Sequence, residues 1–267
     1  MEKTIGEIKA QKLFQWQNVK PLSVFQVILS FLIPSAIATT LFHIVLPKLV
    51  SMGWSPIIAW PFVASVGLAL LVIFALWVLN HEAKQLNVTL SERMLFVSIN
   101  WKQWLFYLGV LMLGLLVGTL SYQWLLPLMK LTNVSVPAYY PFWLNPVIDP
   151  TSINPEEPLQ GMVLHGAYWF LPLFGIMLLL NILAEEFYFR AWLLPKMHRF
   201  GQWAWALNGF LFALYHVFQF WLLPVILLIS LVMAWTVNQS KSIWPVLIIH
   251  LLLNFFGAGI NLLLLIA

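Results

Sequence analysis

Residues 166–195 read GAYWFLPLFGIMLLLNILAEEFYFRAWLLP, an apolar run longer than the about 20 residues that cross a lipid bilayer. Three ionisable side chains interrupt it, namely Glu185, Glu186 and Arg190. A charged group in hydrocarbon costs about 2.5–3.5 kcal/mol on insertion scales, so the charged residues that lie there are expected to serve a function. This run therefore indicates a membrane protein and locates its candidate site.

The composition of the whole chain supports a protein that crosses the membrane several times. Hydrophobic residues make up 62% of the chain, charged residues 8%, and the mean hydropathy is +0.90. The absence of cysteine excludes disulfides, thiolate metal sites and cysteine catalysis. We predict an all-α, polytopic transmembrane helix bundle of seven to eight spans, the eighth arising if the last run breaks near Gly257–Gly259. The runs lie near 22–46, 56–80, 103–127, 166–195, 203–222, 224–238 and 243–267.

Basic residues are divided unequally between the two predicted sides of the membrane. One side carries eleven of them and the other only Lys48 and Lys130. Since cytoplasmic loops are enriched in Lys and Arg, we predict a cytoplasmic N-terminal segment at residues 1–21 and a single integral membrane domain at residues 22–267. The net charge of +4 is explained in the same way, so no nucleic-acid partner is expected. The eleven residues are Lys3, Lys9, Lys12, Lys20, Lys84, Arg93, Lys102, Arg190, Lys196, Arg199 and Lys241.

The fourth span carries two carboxylates with different predicted surroundings. Adjacent residues of a helix point about 100° apart, whereas residues four apart share a face. Asn181 can therefore support Glu185, and Glu186 can pair with Arg190. We interpret Glu185 as the reactive carboxylate, because an unpartnered buried carboxylate suits a general base. Glu186 with Arg190 is interpreted as a structural pair.

Two histidines in later spans have polar or aromatic company at helical spacing. Asn208, Phe212 and His216 form one stripe of span five, and His250 and Asn254 share a face of span seven. At a rise of 1.5 Å per residue, these groups and Glu185 lie roughly 10–20 Å from the cytoplasmic ends of their spans. Because they share this depth, we expect them to meet in one site within residues 181–254.

Two chemistries fit such a site. In the first, Glu185 and His216 polarise a water molecule while His250 and Asn254 donate hydrogen bonds to a developing oxyanion. In the second, Glu185, His216 and His250 hold a zinc ion that activates the water. We favour the form without a cofactor, because Asn254 is a poor zinc ligand and no His-Glu-x-x-His sequence is present.

The three motifs together resemble those of the CPBP intramembrane endopeptidases. They are Glu-Glu-x-x-x-Arg (185–190), Phe-x-x-x-His (212–216) and His-x-x-x-Asn (250–254). That family includes type II CAAX prenyl endopeptidases, bacteriocin-processing and immunity proteins, and proteins like lysostaphin resistance protein A. The resemblance implies a bundle of about eight helices and glutamate-dependent proteolysis. It assigns activation of the water to Glu185 and His216, and the oxyanion hole to His250 and Asn254.

The leading hypothesis is a protease in the cell membrane of a prokaryote, acting on a peptide or a lipidated protein. A prenylated C-terminus of the CAAX type and a bacteriocin or leader peptide are equal candidates for the substrate. One alternative is a non-catalytic scaffold, immunity or regulatory protein of the cell envelope, which the energetic cost of burying these polar groups argues against. Another is a transporter that uses the same groups as a proton or ion site, against which stand the lack of inverted repeats and the small size.

Overall fold

The all-α architecture predicted from the apolar runs is confirmed. A computed structural model describes residues 14–267, and within that range the backbone forms helices and turns but no β-strand. In the same range, six helices are long and apolar enough to cross a membrane. The chain is thus an integral membrane protein. Lys3, Lys9 and Lys12, which entered the prediction of orientation, lie outside the described residues.

Nine helices form the described fold, joined by short 3₁₀ turns and one long connection. The 3₁₀ turns are Trp16–Asn18, Phe142–Leu144, Pro150–Ser152, His198–Trp203 and His216–Leu222. The helices are α1 (Val24–Ser51), α2 (Pro56–Leu86), α3 (Leu90–Arg93), α4 (Trp101–Tyr122), α5 (Leu125–Thr132), α6 (Phe170–Lys196), α7 (Ala204–Tyr215), α8 (Leu223–Ser240) and α9 (Trp244–Ile266).

Short polar sequences determine where two of the long helices begin. Ser23 accepts a hydrogen bond from the backbone N–H of Gln26, whose side chain accepts one from the backbone of Ser23. Asn100 and Gln103 form the same reciprocal pair before α4. Each pair satisfies two N–H groups that a helix start otherwise leaves without partners. These starts lie within two residues of the predicted ones at 22 and 103.

The longest apolar stretch, His198–Ser240, is a hairpin of two helices. The backbone leaves helical geometry at Gln219, where φ is −131° and ψ is 50°, and α8 then packs back against α7. Contact is closest at Gly209, where an added Cβ would lie 2.9 Å from the Cα of Leu231. The predicted spans 203–222 and 224–238 correspond to the two arms. The structure thus has six apolar helical stretches, one of which is a hairpin of two helices, and this number is compatible with the predicted seven to eight spans.

Three of the long helices contain a wide π-helical turn. These turns are Leu41–Val45 in α1, Glu186–Leu193 in α6 and Phe255–Gly259 in α9. The last lies where the sequence predicted that the final span might break, but α9 continues through it. The turn in α6 begins at the second glutamate of the site. Wide turns of this type occur frequently at functional sites, because they change the direction of the side chains that follow.

Helix α6 is the centre of the bundle. It packs along α2 and contacts both α7, which ends directly before His216, and α9, which carries His250. One end of the bundle, called here the basic end, carries Lys84, Arg93 and Lys102. Residues 133–169 form a cap at the opposite end, where the backbone N–H of Gly166 donates to the carbonyl of Ile266 at 2.8 Å. The site lies between these two ends.

Candidate active site

Glu185 lies between the two histidines, as the shared depth of these residues predicted. Its Oε1 is 3.3 Å from Nε2 of His216, and its Oε2 is 3.9 Å from Nε2 of His250. Asn181, one turn earlier in α6, donates its Nδ2–H to Oε1 at 2.7 Å. The carboxylate is only 4% exposed. Helix α6, the 3₁₀ turn after α7 and helix α9 therefore bring one carboxylate and two imidazoles to a single buried point.

The second contact of His216 determines that its Nδ1 atom carries a hydrogen. Nδ1 lies 3.0 Å from the carbonyl oxygen of Phe212, and since a carbonyl only accepts, Nδ1 must carry the hydrogen. In the neutral ring, Nε2 then presents a lone pair towards the carboxylate of Glu185. Two acceptors at 3.3 Å need a proton between them, on the imidazole or on the carboxyl. The Glu185–His216 contact therefore contains one shared proton, and Oε2 of Glu185 lies outside it.

His250 is oriented by the second glutamate. Its Nδ1 lies 2.9 Å from Oε1 of Glu186, which is fully buried. This contact fixes the ring so that Nε2 faces Glu185 and the cavity. A buried carboxylate beside Nδ1 stabilises the imidazolium form, which carries a hydrogen on both nitrogens. In that form, the Nε2–H of His250 can donate to a substrate oxygen.

Asn254 completes the polar group through Asn181. Its Nδ2 donates to the Oδ1 of Asn181 at 3.0 Å, and Asn181 in turn donates to Glu185. Asn254 lines the cavity together with His250, four residues earlier on α9. The pair thus presents two groups that can donate hydrogen bonds to the cavity that Glu185 and His216 also line.

The predicted pair between Glu186 and Arg190 is not formed. Glu186 contacts His250 instead, and within residues 14–267 none of the three guanidinium nitrogens of Arg190 has a hydrogen-bond partner. The physical reason is the π-helical turn Glu186–Leu193, in which the i and i+4 positions no longer stack as in an α-helix. Arg190 is fully buried with its guanidinium carbon 3.7 Å from the ring centre of Phe212. Arg190 therefore lies against the side chain of Phe212, and the backbone carbonyl of the same residue orients His216.

Asn208 supports the backbone of the wide turn and not the histidine. Its Nδ2 donates to the carbonyl of Phe189 at 3.0 Å, and the residue is fully buried. A π-helical turn changes the backbone hydrogen-bond pattern, so a side-chain donor there satisfies a carbonyl that would otherwise lack a partner. Sequence spacing predicted that Asn208 lies on one stripe with Phe212 and His216. Asn208 and Phe212 do lie on α7, and His216 directly follows its end.

A cavity of about 980 Å³ adjoins the polar group. Glu185, His216, His250 and Asn254 all line it, and most of the remaining wall is apolar. The wall also includes exposed side chains of α1 and α2, so the cavity reaches the outer surface of the bundle between these helices. Those side chains are Ile33, Ile37, Leu70 and Phe74. The cavity can hold a peptide segment together with apolar groups.

The cavity also has contributors that the sequence did not indicate. Gln219 lines it at the break of the hairpin, three residues after His216, and its Oε1 has no hydrogen-bond partner within residues 14–267. Tyr188 and Trp192 line it from the wide turn of α6. Their aromatic character suits a membrane interface equally well, so composition alone could not distinguish them.

The described residues contain no group of three or more His, Cys, Asp or Glu side chains placed to hold a metal ion. The Nδ1 atoms of both histidines are engaged, and only their Nε2 atoms face Glu185. The metal-free chemistry favoured from the sequence stays a prediction, with zinc on Glu185, His216 and His250 as its alternative.

The site thus consists of two carboxylates and two histidines beside a cavity in an all-α membrane bundle. The family model described as Type II CAAX prenyl endopeptidase Rce1-like matches residues 167–256, about a third of the chain. The matched segment contains all three motifs, so the resemblance seen in the sequence is confirmed and the chain is indicated to be a membrane protease of this general type. No curated protein and no solved structure matches the chain.

Proposed function

We propose that the chain is an intramembrane endopeptidase in which Glu185 and His216 activate a water molecule. The observation that carries the proposal is the position of the Glu185 carboxylate, between His216 and His250 in the wall of a cavity of about 980 Å³. The contact at 3.3 Å holds Oε1 of Glu185 at His216, and Oε2 of the same carboxylate can take the proton that water loses on attack.

The proposed reaction is direct hydrolysis of a peptide bond. Water oxygen adds to the scissile carbonyl carbon while its proton passes to the Glu185–His216 pair. The oxyanion receives hydrogen bonds from Nε2–H of His250 and from the amide of Asn254. Collapse of this intermediate breaks the C–N bond, and the leaving nitrogen takes the proton from Glu185–His216. Glu186 keeps His250 in its imidazolium form throughout, through the contact at 2.9 Å.

The opening between α1 and α2 supports a substrate that arrives from the bilayer. Ile33, Ile37, Leu70 and Phe74 are apolar, exposed and part of the cavity wall. A lipidated peptide could enter there with its chain in hydrocarbon and its peptide bond at the polar group. We therefore propose a prenylated C-terminus as the first substrate to test and a leader peptide as the second.

The test uses purified protein in lipid vesicles and two quenched fluorogenic peptides of identical sequence. One ends in farnesyl-cysteine followed by three residues, and the other carries unmodified cysteine. The proposal expects cleavage after the modified cysteine and at least tenfold slower cleavage of the unmodified peptide. Equal cleavage of both would favour the leader-peptide class, and cleavage of neither, nor of a leader peptide, would contradict the proteolytic function.

We also propose that the basic end of the bundle faces the cytoplasm of a prokaryotic cell. The chain has no cysteine, so single cysteines report their side of the membrane without background. Lys102→Cys lies at the basic end and Thr151→Cys in the cap, and both positions are exposed. An impermeant maleimide should label Thr151→Cys in intact cells and Lys102→Cys only after permeabilisation. The reverse pattern would overturn the orientation.

A further inference from the structure

The turn that carries His216 is attached to the cap through one backbone carbonyl. The carbonyl oxygen of Phe218, two residues after His216, accepts the hydroxyl hydrogen of Tyr140 at 2.6 Å and lies 2.9 Å from Nε2 of His43. Tyr140 comes from the cap and His43 from the wide turn of α1. Three separate parts of the chain therefore meet beside the proposed catalytic histidine.

The backbone explains why this carbonyl takes donors from side chains. Phe218 precedes the break at Gln219, where the helical geometry of the 3₁₀ turn is lost. A buried carbonyl at such a break needs a partner outside the regular helical pattern. Phe218 is buried, and burial also raises the pKa of Tyr140, so the Tyr140 hydroxyl stays protonated and remains a donor.

The contacts of His43 fix its tautomer. Because a carbonyl only accepts, Nε2 of His43 donates to Phe218, and Nδ1 of the neutral ring then accepts from the hydroxyl of Tyr139 at 2.9 Å. Tyr139 and Tyr140 are neighbours in the cap, with ring centres 5.4 Å apart. His43 therefore links the cap to the backbone two residues after His216.

The cap holds its two tyrosines firmly. Gln160 donates to the carbonyl of Tyr140 at 2.7 Å and accepts from the backbone N–H of Phe142 at 3.0 Å. A second connection runs from the indole N–H of Trp221 to the carbonyl of Leu144 at 3.0 Å. Movement of the His216–Leu222 turn would therefore break contacts on both sides of Gln219.

We propose that His43, Tyr139 and Tyr140 are positioning residues, which hold the imidazole of His216 at Glu185 through the Phe218 carbonyl. This inference rests on the proposed function. The cap thereby becomes part of the catalytic apparatus. A displacement of about 1 Å at a reacting group can reduce the rate about 10²-fold, so the position of this turn matters for catalysis.

The first test measures kcat and KM of four variants with the fluorogenic peptide, expressed per folded molecule. Tyr140→Phe and His43→Leu should each lower kcat about tenfold, as expected for loss of one hydrogen bond, with KM changed less than about twofold. The double variant should lose more than the product of the single effects, because either donor can partly hold the shared acceptor. Tyr168→Phe, an exposed tyrosine of the same cap, should behave as the wild type.

The second test needs no activity. Hydrogen exchange of the backbone amides in residues 216–222 should be faster in Tyr140→Phe and His43→Leu than in the wild type and Tyr168→Phe. Unchanged exchange in that turn would overturn the attachment itself. Faster exchange with unchanged kcat per folded molecule would overturn the positioning role. A wild type that cleaves no peptide counts against the proposed function, and the exchange result still decides whether the attachment exists.

Discussion

Two buried clusters of charge include residues of α6, and they differ in how many of their polar atoms have hydrogen-bond partners. At the basic end, Glu82 accepts hydrogen bonds through one carboxylate oxygen from Arg93 and through the other from Lys196 and the indole of Trp192. In the candidate site, the guanidinium of Arg190 and one carboxylate oxygen of Glu186 have no hydrogen-bond partner within residues 14–267. In α6, Lys196 of the first cluster lies only six residues after Arg190 of the second.

The cluster around Glu82 supplies a hydrogen-bond donor to a backbone carbonyl of α6. Pro195 has no N–H, so the carbonyl of Ala191, four residues earlier, lacks its helical donor. Arg93 supplies one from Nη1 at 2.6 Å, and its remaining nitrogens face Glu82 and the carbonyl of Trp192. Arg93 and Glu82 therefore contact residues at the end of the wide turn and directly after it. The cluster therefore fixes the segment that begins at Glu186.

The difference shows where the protein keeps buried charged groups that have no hydrogen-bond partner. Buried charges without partners are destabilising, and natural proteins keep them chiefly where function needs them. The positive charge of Arg190 lies close enough to act on both Glu185 and Glu186 without bonding to either. Oε1 of Glu185 is engaged by Asn181 and His216, whereas Oε2 has no partner closer than Nε2 of His250 at 3.9 Å and remains available to water. Fully paired carboxylates such as Glu82 have no such capacity.

The largest loss of stability is expected at the cluster around Glu82. Arg93→Met leaves Glu82 and the Ala191 carbonyl short of donors, and breaking a buried pair costs about 3–5 kcal/mol. Thermal unfolding in detergent, followed by tryptophan fluorescence, should show a large decrease in Tm. Lys84→Met, at an exposed position of the same end, should change Tm little. Equal Tm values for these two variants would show that the cluster does not stabilise the fold.

The next effect is expected on the rate and not on stability. Glu186→Gln keeps a hydrogen-bonding side chain at His250 but removes the charge that stabilises its imidazolium. The kcat of the folded variant should fall about 10²–10³-fold, the usual cost of losing one oxyanion donor. Gel filtration and Tm confirm that the fold is retained. A variant with normal kcat would exclude an imidazolium at position 250 from the mechanism.

The smallest effect on stability is expected at Arg190. Its guanidinium makes no hydrogen bond in the described residues and acts on Glu185 and Glu186 only at a distance, so Arg190→Met should change the free energy of unfolding by only about 1 kcal/mol. The same substitution at Arg93 serves as the comparison. If Arg190→Met lowers Tm as much as Arg93→Met, the two clusters are equivalent and the contrast between them is wrong.

The sequence predicted what depends on apolar length and local spacing. Apolar runs gave the long helices, and shared depth correctly placed Glu185 near His216 and His250. The pairing of Glu186 was wrong, because the i,i+4 rule assumes α-helical geometry and α6 widens at that residue. A wide turn depends on packing between helices, which a single sequence does not contain.

Hydrogen bonds between residues that are far apart in the chain could not be predicted from the sequence either. Arg93 and Ala191 are separated by 98 residues, and Tyr140 and Phe218 by 78. Arg93 was interpreted from the sequence only as a marker of the cytoplasmic side. The missing N–H of Pro195 was the one local signal that a carbonyl in α6 would need a donor from elsewhere.

The role of Glu185 is the central claim, and one substitution tests it most directly. Glu185→Gln keeps the shape of the side chain and removes its ability to take a proton, while Glu157→Gln makes the same change at an exposed position of the cap. Cleavage of the fluorogenic peptide in vesicles should be abolished in Glu185→Gln, at wild-type Tm and yield, and should be unaffected in Glu157→Gln. Normal cleavage by a folded Glu185→Gln protein would contradict the account.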